Sequence, residues 1–376
     1  MPSRYRPAIW SSAFLLASMA ILGAVRSTGY SCAPAPHAGE HVSIASETSL
    51  ILWDAANKTE HFIRRGTFET SAEDFGFLVP TPTVPILTEV NAEVFTGLSK
   101  LTEPRIVYQP MPKSQGGGCG CAVLPTDKAV SGSAPLPDAE PPRVTVHSEQ
   151  RIAGQDAVVL SADDADAITN WLQERGYPAT PTLTEWMKPY VAQGWKITAF
   201  KFAKVEGGEP QVQSQAVCMS FETEKPFYPY REPAAEGTTG DADTSKTEPQ
   251  PWTPRLLRVF FIGDARVNGT IGENGTWPGR AEWSNTLSDG QRDQILANLK
   301  LPGELPAGTW RLTEFEDHAS PRPGTDDLWF ATSPIQSTLE REPIIHYVST
   351  GDGDSLLLFA LAGAAIFTLR RRSRVQ

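Results

Sequence analysis

Apolar positions change period along this chain, and the changes mark out its elements. From Ser49 to Val79 short apolar runs, LILW, HFIRR and FGFLVP, are separated by polar turns and predict strands. Val90, Val94, Phe95, Leu98 and Leu101 then recur at helical spacing, with Thr88 as the expected cap. Farther on, RVTVHS and DAVVL predict two strands, and Ser161-Ala-Asp-Asp164 opens a helix with Ala165, Ile168, Trp171 and Leu172 on one face and Gly176 as its stop. Thr182-Leu-Thr-Glu185 reads as a capping box for a second helix, whose stripe is Leu183, Trp186, Met187, Tyr190 and Val191. Pro189 should kink or shorten it, and Gly194 should end it. WKITAFKFAKV, QAVCMSFE and LLRVFFIG predict strands, and the NGT repeats at Asn268 and Asn274 predict tight turns. Strands and helices mix without a regular βαβ rhythm. The expectation is an α+β fold of mixed and antiparallel sheets with a few amphipathic helices.

Two segments break this globular pattern. Behind Arg4 and Arg6, the uncharged, mostly apolar run from Ala8 to Val25 has the n-region and h-region of a secretory signal, with Ser27 and Gly29 placed for cleavage before Tyr30. An uncleaved anchor helix is the alternative. Ser355 to Leu369 reads SLLLFALAGAAIFTL and runs into Arg370-Arg371-Arg372. As a helix it spans roughly 22 Å against a hydrocarbon core of about 30 Å, a gap that snorkelling arginines and local thinning can close. The arginines set the C-terminal side in the cytoplasm. Both ends predict an exported main domain held in the cell membrane by a short C-terminal transmembrane helix. The expected order is a signal peptide over 1–29, an N-terminal α+β lobe over 30–109, a Pro/Gly-rich loop with a CxC over 110–142 and a second α+β lobe over 143–350. A spacer over 351–354, a transmembrane segment over 355–369 and a basic cytoplasmic tail over 370–376 complete it.

Charge excludes one class of partner. Thirty-three Lys and Arg face 44 Asp and Glu, a net charge of -11, and neither flanking segment carries an acid. Nucleic acid needs a basic face, so it is not an expected partner. The membrane, through the C-terminal segment, and an envelope protein or polysaccharide are. In an exported chain, Cys32, Cys119, Cys121 and Cys218 favour disulfides, with one cysteine of the CxC bonding Cys32 or Cys218.

No cofactor is predicted. His37-Ala-Gly-Glu40-His41 matches an H-x-x-E-H peptidase pattern, but Pro34, Pro36 and Gly39 oppose the helix that would put both histidines on one face. The alternative chemistry is therefore zinc held by Cys32, His37 and His41. Asp163, Asp164 and Asp166 suit a helix N-terminus better than a calcium loop. Glu69, Glu73 and Asp74 give no sign of converging as an acid and base. Trp171, Tyr177, Trp186, Tyr190, Trp195, Phe200 and Phe202 fit core positions better than a sugar platform. Phe227, Tyr228 and Tyr230 are expected at the surface, as the first candidates for a partner contact. There is no G-x-S-x-G, phosphate loop or dinucleotide fingerprint, so catalytic residues are unknown. A non-enzymatic binding or structural role is preferred to a metal-dependent hydrolase.

GFLVPTPTVP with NAEVFTGLSKLTEPRIV, the glycine-flanked CGC, VVLSADDADAITNWLQERGY, PYVAQGWKITAFKFAK and FETEKPFYPYRE occur in the order found in the domain of unknown function 2330 family. The chain resembles that family from about Cys32 to Gly263, while Asp264 to Thr350 shows no match. The resemblance implies an exported bacterial envelope protein, often with a C-terminal membrane segment, and implies no activity, ligand or catalytic residue.

Overall fold

The computed structural model describes residues 33–35, 42–70, 72, 74–110, 143–177, 179–203, 211–234, 255–303, 305, 308–320 and 322–348. In chain order these form β1 (Ala33–Ala35), β2 (Val42–Asp54), β3 (Thr59–Thr70), β4 (Asp74–Thr81), β5 (Ile86–Glu89), α1 (Glu93–Thr102), β6 (Ile106–Pro110), β7 (Val144–Ile152) and β8 (Gln155–Ala162). There follow α2 (Ala165–Glu174), α3 (Pro181–Ala192), β9 (Lys196–Ala203), β10 (Gln211–Gln213), β11 (Val217–Glu222), β12 (Phe227–Tyr228) and β13 (Leu256–Gly263). The last are β14 (Val267–Ile271), β15 (Gly275–Thr276), β16 (Arg280–Thr286), α4 (Asp289–Ala297), β17 (Arg311–Asp317), β18 (Leu328–Thr332) and β19 (Ile344–Val348).

The runs LILW and HFIRR belong to one long hairpin. β2 and β3 pair antiparallel from Val42 opposite Thr70 to Asp54 opposite Thr59. The Asp54 carboxylate closes its turn by accepting the Ala56 and Asn57 amides at 3.0 Å each. This hairpin centres an eight-stranded sheet whose main path is β16-β17-β13-β2-β3-β11-β5, with β10 also on β3. Strands from both sides of residues 110–142 share it. A second sheet, β1-β4-β9-β8-β7, has five strands. A third runs β12-β18-β14-β15, and β6 pairs with β19 in a two-stranded ribbon.

Alternation along the strands makes the layers. In β4, Phe77 and Val79 face one way and Leu78 the other. The first pair joins Phe62, Phe68, Phe202, Phe261 and Phe330 in a core between the two large sheets, walled on one side by the third sheet. Leu78 joins the opposite core, where Val158, Leu160, Ile197 and Ala199 meet Ile168 and Leu172 of α2 and Leu183, Met187 and Tyr190 of α3. On the far face of the eight-stranded sheet, Leu50, Ile63, Phe260 and Leu312 are covered by Val94, Phe95 and Leu98 of α1 and by Ile295 of α4. Each fully buried leucine, methionine or phenylalanine contributes about 1.5–3 kcal/mol of transfer free energy. The result is helix, sheet, sheet, helix: a mixed α+β fold, as the sequence predicts.

Several boundaries differ from the sequence expectation. Thr88 lies on β5 rather than capping α1, and Asn91 accepts the Glu93 amide at 3.0 Å. The cap of α3 is Thr180, with Pro181 in the first turn, where a missing N–H costs nothing. Pro189 sits inside that helix without ending it. Asn268 is on β14 opposite Ala331, so only the second NGT borders a turn, at residues 272–274. None of the helices among the described residues is long and apolar enough to cross a membrane. The segments 1–32, 111–142 and 349–376, with the expected signal, CxC loop and anchor, lie outside the described residues.

Candidate functional site

The segment Phe227–Glu232 is the first place where the structure corrects the sequence. Phe227, Tyr228 and Tyr230 are 1%, 0% and 0% exposed, so they do not reach the surface. The reason is a set of buried acids that accept their polar groups. Glu60 accepts the Phe227 amide at 2.8 Å, Glu47 accepts the Tyr228 hydroxyl, and Asp317 accepts the Tyr230 hydroxyl at 2.7 Å and the Trp277 indole N–H at 3.0 Å. Glu47 is in turn paired with Arg64 at 2.5 Å, and Glu232 with Arg255 at 2.8 Å. Burial pushes the Glu47 carboxyl up, but Arg64 outweighs it and leaves the group below its ordinary range. Glu60 has no comparable cation and is held well above its ordinary range by burial.

A cleft of about 610 Å³ opens where this segment meets the end of α3 and the third sheet. Gly194 takes a positive φ of 73° and stops α3, so that the Trp195 amide returns to the Tyr190 carbonyl at 3.0 Å and its indole turns toward β18. Trp195 and Trp329 are both half-buried, with ring centroids 6.3 Å apart, and Phe227 packs against both at 5.1 and 5.3 Å. Asp327, just before β18, is buried. Its Oδ1 accepts the Tyr190 hydroxyl at 2.9 Å and the Arg231 amide at 3.2 Å. Burial raises its pKa to about 6 against the pull of those two bonds. Asp326 accepts a guanidinium N–H of Arg231 at 2.7 Å. Gly272 (φ 55°) completes the wall, where a Cβ would meet Asp326 Oδ2 at 2.9 Å. Lys225, Gln193, Thr270 and Glu273 line the rim. A smaller cavity of about 200 Å³ lies at the β2–β3 turn, but its Asp54 is committed to closing that turn.

A model of the family described as "Uncharacterized protein conserved in bacteria (DUF2330)" matches residues 27–243. The chain belongs to the DUF2330 family. No curated protein matches it. Among solved structures, the crystal structure of baculovirus P35 aligns over 82% of this chain and 98% of its own, at 9% identity and a TM-score of 0.28. A likeness that slight carries no argument.

The match ends twenty residues short of the Gly263 boundary expected from the sequence, and it divides the cleft. Tyr190, Trp195, Lys225 and Arg231 fall within the DUF2330 range, whereas Thr270, Glu273, Asp326, Asp327 and Trp329 come from beyond it. Sequence reasoning missed those five. Their one local signal is Asp326-Asp327-Leu-Trp329, two acids beside an indole ahead of a short strand.

The other candidates scatter. Cys32, His37, His41, Cys119 and Cys121 lie outside the described residues, as does Glu73. Cys218 is a thiol buried in β11, 3.5 Å from Ser220 Oγ, and burial pushes it up to about 11, which removes thiolate character at neutral pH. Ser220 also meets His61 Nδ1 at 2.8 Å, a serine–histidine contact that sequence spacing hides. Both side chains are buried, so the serine has no access to a substrate. Asp164 caps α2 by accepting the Asp166 amide at 2.8 Å, which is the helix-terminal role expected of that acid cluster. Asp74 pairs with Lys201 at 3.2 Å, and Glu69 lies on β3. Among the described residues no three His, Cys, Asp or Glu are grouped to hold a metal. Tyr177, Trp186, Tyr190, Phe200 and Phe202 are core residues, and Trp171 and Trp195 are half-buried.

Proposed function

We propose that this DUF2330 chain is a secreted, membrane-anchored cell-envelope protein whose outer domain binds an envelope saccharide in the cleft between α3 and β18. The observation that carries the binding reading is the pair of half-buried indoles, Trp195 and Trp329, set beside Arg231, Asp326 and Gln193. A sugar ring offers an apolar C–H face that packs on an indole and a rim of hydroxyls that planar polar side chains can bond. Those polar groups are already fixed, Asp326 on Arg231 and Asp327 on Tyr190, so little ordering is needed on binding. That arrangement supports holding a ligand over transforming one.

Location is supported by the sequence at both ends: signal 1–29, spacer 351–354, membrane segment 355–369 and cytoplasmic arginines after it. On this reading the domain works in an oxidising compartment, with the CxC bonded to Cys32, since Cys218 is a buried free thiol.

Titration of the purified chain with tri-N-acetylchitotriose, followed by tryptophan emission, tests the cleft. A saturable change is expected, weakened at least tenfold in Trp329→Ala. Emission that stays flat to millimolar sugar overturns the reading. Fractionation tests the location: a mature chain beginning near Tyr30 is expected in the membrane fraction, and an unprocessed soluble chain contradicts it.

A further inference from the structure

The β6–β19 ribbon inverts the usual distribution of side chains. The two strands run parallel, from Ile106 opposite Ile344 to Pro110 opposite Val348. Ten large hydrophobic side chains are exposed among the described residues, and six of them belong to this ribbon: Ile106, Tyr108, Ile344, Ile345, Tyr347 and Val348, at 40–68% exposure. Neighbours on a strand point to opposite faces, so exposure of both Ile344 and Ile345 means that neither face is packed on the body. A two-stranded ribbon has no core of its own. Its apolar side chains are therefore free to meet a surface outside the described residues.

The bilayer itself is within reach of the ribbon. The seven Cα steps from Val348 to Ser355, the first residue of the apolar run, reach at most about 25 Å when fully extended. At the base of the ribbon Arg105 pairs with Glu340 at 2.8 Å. Tyr108 and Tyr347 are amphipathic residues of the kind that settle at a membrane–water boundary, between aliphatic side chains that can enter the acyl region.

We propose that the β6–β19 ribbon is a lipid-contacting surface, seated in the headgroup and acyl boundary of the bilayer that holds the C-terminal segment. The proposal rests on the anchoring part of the function proposed above, and it adds a second, independent contact with the membrane. It fixes which end of the domain faces the lipid.

The test uses the full chain reconstituted in phosphatidylcholine vesicles, with lipids brominated near the top of the acyl chains as a contact quencher. Tyr108→Trp and, separately, Ile345→Trp add a reporter to each strand at exposed positions that tolerate it. The emission gained over wild type should fall more than twofold in brominated vesicles, while the native tryptophans are quenched far less. Vesicles that carry the protein on flotation but leave both reporters unquenched would overturn the ribbon proposal and leave the anchor standing. The same result with cross-links between ribbons of two copies would assign the surface to a dimer, and cross-links to residues 111–142 would assign it to this chain's own loop; either overturns the lipid assignment. A protein that does not float with vesicles at all removes the anchor and the proposal together.

Discussion

Phe227–Glu232 and the β6–β19 ribbon are placed opposite to what their polarity suggests. The first carries two tyrosines, an arginine and a glutamate, yet its aromatic residues are buried. The second is built of isoleucine, valine and tyrosine, yet stands in the open. Partners decide the difference. The Phe227 amide meets the Glu60 carboxylate, the Tyr230 hydroxyl meets Asp317 and the Glu232 carboxylate meets Arg255, and these partners offset the cost of desolvation. Among the described residues the ribbon has no third layer that buries its side chains.

The sharpest way to break this comparison is to remove an interior acid. Glu47→Ala breaks the buried ion pair with Arg64, and urea unfolding should show a loss of about 3–5 kcal/mol, as for other broken buried pairs. A loss below about 1 kcal/mol would mean that the network does not hold the segment.

Asp327 gives the next effect, with a definite sign in pH. Its folded pKa of about 6 lies above the unfolded value near 4, so the folded state holds the proton more tightly. The stability this supplies is complete below pH 4 and is lost as pH rises through 6. Asp327→Asn cannot ionise, so between pH 4 and 7 its stability should rise relative to wild type by about 3 kcal/mol. Parallel pH profiles for the two proteins would refute the assignment.

Tyr230→Phe deletes one hydrogen bond to Asp317 and leaves that of Trp277, so a loss of about 1–2 kcal/mol is expected in the same unfolding measurement. The smallest effect belongs to the ribbon. Ile106→Ser with Ile345→Ser should change unfolding by less than about 0.5 kcal/mol, because exposed side chains contribute little to the fold. A large loss there would show that the ribbon is covered by the protein itself.

Periodicity made α2, α3 and β9 readable, because each has one apolar stripe or alternation with a capping acid or a glycine at a boundary, Asp164 before α2 and Gly194 after α3, although the cap of α3 is Thr180 and not the expected Thr182. The β2–β3 hairpin was legible only as fragments, since both of its faces are buried and Glu47, Glu60 and Arg64 interrupt its apolar pattern. The position of Phe227–Tyr230 was hidden for the same reason. Its partners lie in β2, β3 and β17, far away in sequence, and no local pattern reveals a long-range ion pair. The cleft joins residues on both sides of the family boundary, and only the fold brings Trp195 to Trp329.

The most direct measurement of this division of roles is hydroxyl-radical footprinting of the folded chain with and without tri-N-acetylchitotriose. Trp195 and Trp329 should be labelled in the free protein and protected by the sugar, while Tyr228 and Tyr230 stay unlabelled in both. Labelling of Tyr228 and Tyr230 that responds to the sugar, with Trp195 and Trp329 unchanged, would contradict the account.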